Sequence, residues 1–220
     1  LQLEAFEFFT DLALKHTTAH GALNPFDQVY PYYVVTEYAA GDEAAEAAAM
    51  AAFEFCAEQG WVLDGVISSS VEQAQQIWRL REGITEALAR YTPYKNDVAV
   101  RISRMPAFLA RCQELIGGAY PHFEVVWFGH IGDGNLHINV LKPEGMAQDE
   151  FVAQCEQVTK LLAQVLSEFD GSISAEHGIG LVKKAYLGST RGPAEIALMQ
   201  AIKRALDPAG RLNPGKVFDL

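Results

Sequence analysis

The sequence predicts an α+β domain: an antiparallel sheet with helices on one face, ferredoxin-like in flavour. Three observations carry this. Segments with strand character alternate singly with helical ones. Two strand-like segments meet at Asp133-Gly134, a signal for a two-residue hairpin turn, because the primed turns need positive φ. The 220 residues, 50% hydrophobic and 20% charged, fit one domain with a sizeable core, with room for two lobes.

In chain order, Ala5-Phe-Glu-Phe-Phe-Thr-Asp-Leu-Ala-Leu reads as a helix over residues 2–15, followed by a loop through Pro25. Tyr32-Tyr-Val-Val-Thr-Glu-Tyr38 is a strand, rich in β-branched and aromatic residues. Gly41-Asp42 opens a helix to Gln59, Trp61 to Ser69 is a second strand, and Val71 to Arg90 is one long helix. Asp97 to Ser103 is a third strand and Pro106 to Ile116 a helix. The hairpin strands cover 123–131 and 136–141. Gln148 to Phe169 is a helix with Phe151, Val158, Leu161, Leu162 and Val165 at helical spacing. A shorter helix follows Gly178, another spans Pro193 to Leu206, and the tail is a loop punctuated by Pro and Gly.

The hairpin carries candidate chemistry. With Asp133 and Gly134 as central turn residues, His130 faces His137 and Phe128 faces Asn139. Directly opposed side chains have Cβ atoms about 4.5–5.5 Å apart, so two imidazoles there can share one metal ion. The plainer alternative is a Gly-rich hairpin whose histidines only hydrogen-bond. A second stretch, Ser174-Ala-Glu-His-Gly-Ile-Gly-Leu-Val-Lys-Lys184, sets Glu176 and His177 beside small residues. One of the pair can ligate a metal while the other works as a base, although the stretch also reads as an ordinary helix start. Two histidines, one carboxylate and an open position is a set used by catalytic zinc and by non-haem iron.

These residues resemble a known family. GHIGDGNLH at 129–137, SAEHGIGLVKK at 174–184 and LDPAGRLNPGKVF at 206–218 are similar, in this order, to the C-terminal domain of FAD-linked oxidases of the vanillyl-alcohol oxidase type. The likeness is narrower to the D-2-hydroxyacid dehydrogenase branch, which oxidises D-lactate, glycolate or D-2-hydroxyglutarate. It runs from Ala5 to Phe218. In that family an N-terminal domain carries most of the flavin site. This sequence has neither the dinucleotide fingerprint G-x-G-x-x-G between strand and helix nor a phosphate-binding G-x-x-x-x-G-K-[ST] loop. It opens at Leu1 rather than Met. The expectation is a fragment, or one subunit of a split enzyme, that works with a flavin-binding domain in cis or in trans.

The long helix adds a third feature. Arg81 sits on the apolar stripe marked by Ile77, Leu80, Ile84, Leu88 and Tyr91, with Thr85 one turn on. A guanidinium there must meet an anion. A protein carboxylate is one candidate; a substrate carboxylate held by two N–H donors is the other. The resemblance favours the substrate, because Trp78-Arg-Leu-Arg-Glu-Gly-Ile-Thr85 and Tyr94-Lys-Asn-Asp-Val98 look like the family's substrate-carboxylate segments. Ile102-Ser-Arg104 departs from the family by lacking a Pro near that strand's end.

The resemblance then implies these roles. Arg81, Thr85, Lys95 and Asn139 hold a small anionic 2-hydroxy acid. His130, His137 and Glu176 hold a divalent metal, zinc by donor type, acting as a Lewis acid. His177 takes the hydroxyl proton as a base, and the Cα hydrogen passes to FAD. Asn213 and Lys216, in Leu212-Asn-Pro-Gly-Lys216, lie beside the flavin. Arg81 and Lys95 together favour a dicarboxylate such as D-2-hydroxyglutarate over lactate or glycolate; the plainer option pairs Lys95 with Asp97 or another local acid.

Charge and cysteine content narrow the partners. A net charge of −11 disfavours nucleic acid and anionic membrane surfaces. No signal peptide or membrane span is visible, and the Ala-rich run 44–52 contains Glu46 and is too short to span. Cys56, Cys112 and Cys155 form no C-x-x-C and no disulfide framework, which points to a reducing, cytoplasmic setting; a homodimer is open. Two rival classes stand: a non-catalytic metal-binding or interaction domain, and an enzyme of the same family that works without metal.

Overall fold

The computed structural model describes residues 1–39 and 43–220. The chain divides into two compact units, the first Leu1–Pro93 with Val125–Gly132 and the second Tyr94–Glu124 with Asp133–Leu220.

The first unit opens with a strand, β1 (Leu3–Thr10), and then helix α1 (Asp11–Ala19). This corrects the helix expected over 2–15. Leu, Glu and Ala favour a helix locally, but β1 is claimed on both edges. It pairs antiparallel with β2 (Tyr32–Tyr38), Thr10 opposite Tyr32 and Phe8 opposite Val34. It also pairs antiparallel with β4 (Val125–Gly129), Phe9 opposite Phe128. Glu7 to Thr10 are therefore buried. The Phe9 ring stacks on Tyr33 with centroids 5.3 Å apart. The expected helix from Gly41-Asp42 appears as α2 (Glu43–Glu58); residues 40–42 lie outside the described part.

The strand expected over 61–69 does not form. Trp61 is 70% and Leu63 74% exposed, and a strand needs a ladder partner for its backbone. The long helix expected over 71–90 is two helices, α3 (Val71–Glu82) and α4 (Ile84–Ala89). Ser70 caps α3 by accepting the Gln73 N–H at 3.2 Å. The break is at Gly83, where the chain is so tight that a Cβ would fall 2.6 Å from the Arg79 carbonyl oxygen. Leu80, Ile84, Ala87 and Leu88 remain on one buried stripe across the break.

In the second unit β3 (Tyr94–Ala99) pairs antiparallel with β5 (Asn135–Val140). Strand alternation sorts this pair cleanly. Val98, Leu136, Ile138 and Val140 face a core closed by α5 (Met105–Ala119) and α6 (Gln148–Glu168). Lys95, Asp97, Asn135, His137 and Asn139 share the opposite face, with Lys95 opposite Asn139 and Asp97 opposite His137. Helices thus cover one face, as expected for the α+β class, and α7 (Pro193–Leu206) matches its expected bounds. The third strand begins and ends earlier than expected, and Ile102–Arg104 turn into a short 3-10 segment. After Gly178 the expected short helix is a 3-10 segment, Lys184–Ser189.

The two-residue turn at Asp133-Gly134 is also corrected. β4 ends at Gly129 and β5 starts at Asn135, and Ile131–Asp133 form a 3-10 turn between them. Gly134 adopts φ +71°, but Asp133 stays out of the left-handed region, so the primed turn cannot form. The register that set His130 opposite His137 does not follow from this connection. Gly134 serves a different contact. Its carbonyl accepts the Val100 N–H at 2.9 Å, and a Cβ there would lie 2.0 Å from the Val100 oxygen.

The cysteines give a direct check on the second unit's core. Cys112 and Cys155 are fully buried, and burial pushes each thiol up to about 12. The thiolate is the nucleophile, so neither should react with a disulfide reagent at pH 8 in the folded chain. Cys56 is partly exposed. Native titration should release one equivalent and denatured titration three. Three fast equivalents in the native chain would contradict this core.

Candidate active site

Asp97 is fully buried in the centre of β3, and the site of the second unit is built around it. Its Oδ2 accepts three successive backbone N–H groups, from Ala175 at 3.2 Å, Glu176 at 2.8 Å and His177 at 2.9 Å. Its Oδ1 accepts from the Asn135 side-chain amide at 2.7 Å. The segment reaches Asp97 because Ser172 bridges to Ala99, with Ala99 N–H to Ser172 O at 3.0 Å and Ser172 N–H to Ala99 O at 2.7 Å. Burial by itself would raise the Asp97 carboxyl. The His177 and Glu176 amides, the Asn135 amide and the nearby His177 ring outweigh it and hold the group below the usual carboxylate range.

Three expected site residues gather here. His137 Nδ1 lies 3.6 Å from Asp97 Oδ1, and its Nε2 lies 3.9 Å from Glu176 Oε1. His177 Nδ1 lies 3.8 Å from Asp97 Oδ2, and the His137 and His177 rings stack with centroids 6.0 Å apart. His177 is half-exposed while His137 is largely covered. Asn139 is buried, two residues along the same face from His137, and Lys95 opposite it is exposed. Lys183, also buried, donates to the Asp97 carbonyl at 3.0 Å; burial lowers its ammonium below the ordinary lysine value, and the Asp97 charge opposes that shift.

The first unit holds Arg81, Thr85 and His130. Arg81 is buried and meets a protein carboxylate: its Nε is 2.9 Å from Glu7 Oε2, and its guanidinium lies over the Phe128 ring at 5.1 Å. His130 Nδ1 is 2.9 Å from the other Glu7 oxygen, and its Nε2 is 3.5 Å from Arg81 Nη2. Glu7 therefore supplies the anion that the sequence demanded for Arg81. Thr85 is exposed on α4, past the break at Gly83.

Asn213 and Lys216 are exposed in the tail. Lys216 Nζ donates to Asn213 Oδ1 at 3.2 Å, and Asn213 takes the left-handed φ of +46° that Asn tolerates. The tail is fastened by Asp207, whose carboxylate accepts from Lys203 Nζ at 2.5 Å and from the Arg211 and Leu212 N–H groups, each at 2.9 Å. The Lys203 contact and these amides lower its carboxyl to about 2. The folded value lies below the unfolded value of about 3.9, so the stabilisation is present above pH 3.9 and lost as pH falls through about 2. Asp207→Asn should expose the tail to proteolysis at neutral pH, whereas the native tail should stay protected at pH 4. Equal cleavage of both chains at pH 7 would contradict the tether.

Sequence reasoning missed Glu7, Asp97 and Lys183. Glu7 was hidden by the helix assignment of its segment. Asp97 carried one usable signal, an acid two residues from Lys95 and so on the same strand face. Lys183 carried none beyond its place in a Gly-flanked motif.

Comparison with known proteins identifies the family of the whole chain. The model for FAD linked oxidases, C-terminal domain, matches residues 1–217. The chain is 74% identical over 219 residues to a D-2-hydroxyglutarate dehydrogenase of Xanthomonas citri pv. viticola, which spans 100% of this chain and 46% of that protein. It is 50% identical over 219 residues to one of Stutzerimonas stutzeri, spanning 99% and 47%. It is 37% identical over 222 residues to the mitochondrial D-2-hydroxyglutarate dehydrogenase of Arabidopsis thaliana, spanning 98% and 38%. The chain thus covers less than half the length of these relatives. Among the described residues no helix is long and apolar enough to cross a membrane. By this match over nearly its whole length, the chain belongs to the family of C-terminal domains of FAD-linked oxidases.

Proposed function

We propose that this chain is the substrate and metal part of a flavin-dependent dehydrogenase that oxidises a D-2-hydroxy acid, D-2-hydroxyglutarate first, to the 2-oxo acid. The observation that carries the reading is the fold of residues 175–177 around Asp97, which sets Glu176 and His177 beside His137 on one polar face. The 74% identity to a D-2-hydroxyglutarate dehydrogenase supports the choice of acid.

The donor set fits a divalent ion. His137 Nδ1 lies 3.6 Å from Asp97 Oδ1, longer than a hydrogen bond but on the side where a metal-ligating histidine keeps a carboxylate, which leaves Nε2 toward Glu176. That nitrogen is 3.9 Å from Glu176 Oε1, beyond hydrogen-bond reach and within the span of two donors each about 2.0–2.2 Å from one zinc ion. His130, seven residues upstream in the same Gly-rich segment, is assigned as the third ligand on the motif. Asn213 and Lys216 are exposed and so accessible to a flavin held by another domain. When bound, the ion polarises the substrate oxygens and FAD accepts two electrons with the Cα hydrogen. His177, half-exposed, receives the hydroxyl proton. Lys95 and Asn139, paired across β3 and β5, orient the substrate, with Thr85 assigned to a carboxylate on the motif and Arg81, which already meets Glu7, a second donor in that assignment.

A dicarboxylate gives Lys95 its role, because Asp97 already has its oxygens engaged by backbone amides and Asn135. In a flavin-containing enzyme that carries this chain, Lys95→Ala should weaken D-2-hydroxyglutarate use by about 1.5–3 kcal/mol, the worth of a charge-assisted hydrogen bond. D-lactate should lose far less. Steady-state kinetics on both acids checks this. Equal losses, or a native preference for lactate, would defeat the dicarboxylate reading.

A further inference from the structure

Beyond facing His137, Asp97 has no part in the chemistry above, yet the backbone of the site is wrapped around it. We propose that Asp97 is the positioning residue of this centre: its carboxylate folds residues 175–177 and orients the His137 and His177 rings. The proposal rests on the reading of His177 as base and of His137 and Glu176 as metal ligands, and deepens it.

The alternative role for Asp97 is that of a ligand. Ligand atoms of Asp97, His137 and His177 lie within 4.8 Å of one another, close enough for one ion. An ionised carboxylate, however, offers about four lone-pair sites. All three amides of 175–177 meet Oδ2, and the Asn135 amide meets Oδ1. A metal bound at Oδ2 would displace the amides that anchor the loop.

Orientation of the rings follows from the same charge. His137 and His177 both turn Nδ1 toward the carboxylate, at 3.6 and 3.8 Å. This favours a proton on Nδ1 and leaves Nε2 as the lone-pair nitrogen, for the ion in His137 and for the hydroxyl proton in His177. Lys183 completes the seat from behind, binding the Asp97 carbonyl.

The test begins with the unaltered chain. Nitrogen-15 shifts of its imidazoles should place both His137 and His177 in the Nδ1–H tautomer when neutral; Nε2–H in both would overturn the proposal. Asp97→Asn keeps the shape and removes the charge. The buried Asn135 Oδ1, which has no hydrogen-bond partner, can then turn to accept from the new amide, so the fold should survive. Amides 175–177 should exchange at least about tenfold faster in this variant. Zinc affinity of the chain and kcat of the flavin-containing enzyme should each fall by about 10–100-fold, with KM changing far less. Exchange and zinc affinity both unchanged would overturn the proposal. If instead the chain binds no zinc, or His177→Gln leaves turnover intact, the reading of the centre fails; tautomers and amide exchange still decide the role of Asp97.

Discussion

Glu7→Gln should destabilise the first unit by about 3–5 kcal/mol, the usual result of removing one charge from a buried ion pair. Glu7 and Arg81 side chains are only 8% and 7% exposed, and the Nε to Oε2 distance is 2.9 Å. Glu7 also holds His130 through its other oxygen, so one carboxylate serves two cationic or polar groups from different elements. The amide of Gln presents one acceptor instead of two and carries no charge. Arg81 cannot escape by deprotonation, because a guanidinium stays charged at any accessible pH. The loss can be read without interference, since all three tryptophans, Trp61, Trp78 and Trp127, lie in the first unit. Urea unfolding followed by their fluorescence should shift its midpoint strongly downward. The double variant Glu7→Leu with Arg81→Met should recover much of the loss, since well-packed apolar side chains replace a buried pair at little cost. A single variant with an unchanged midpoint would show that the pair is hydrated rather than buried.

The same pair shows what the sequence could and could not reveal. Arg81 on an apolar stripe demanded an anion, and that demand was legible from helical spacing alone. Its partner was not, because Glu7 lies in a segment whose local composition favours a helix. Only the pairing of β1 with β2 and β4, residues 32–38 and 125–129, makes that segment a strand. The second unit was more legible. Alternation placed His137 and Asn139 on one face, and the i, i+3, i+4 spacing in α6 gave its bounds within a residue. The turn at Asp133-Gly134 misled because Gly134 serves a close approach to Val100, 34 residues away, rather than a primed turn. Asp97 was hidden for a related reason. Its three amide donors are 78, 79 and 80 residues distant, and no local pattern encodes such a contact.

His177→Gln should lower kcat of the flavin-containing enzyme by about 10²–10⁴-fold, the range for losing a positioned general base. The ion should stay. The 175–177 backbone is held through main-chain N–H groups on Asp97, so the loop and Glu176 do not depend on the imidazole of His177. His137→Ala should do the opposite to the metal. His137 lies between the Asp97 carboxylate and Glu176, and its removal takes away one proposed donor and the spacing of another. The two variants therefore separate base from ligand. Zinc titration into stripped chains should find one site in native protein and in His177→Gln, and a lost or much weakened one in His137→Ala. Loss of zinc from both would reassign His177 as a ligand. Turnover unchanged by His177→Gln would remove it from the chemistry and leave a metal centre whose proton acceptor lies elsewhere.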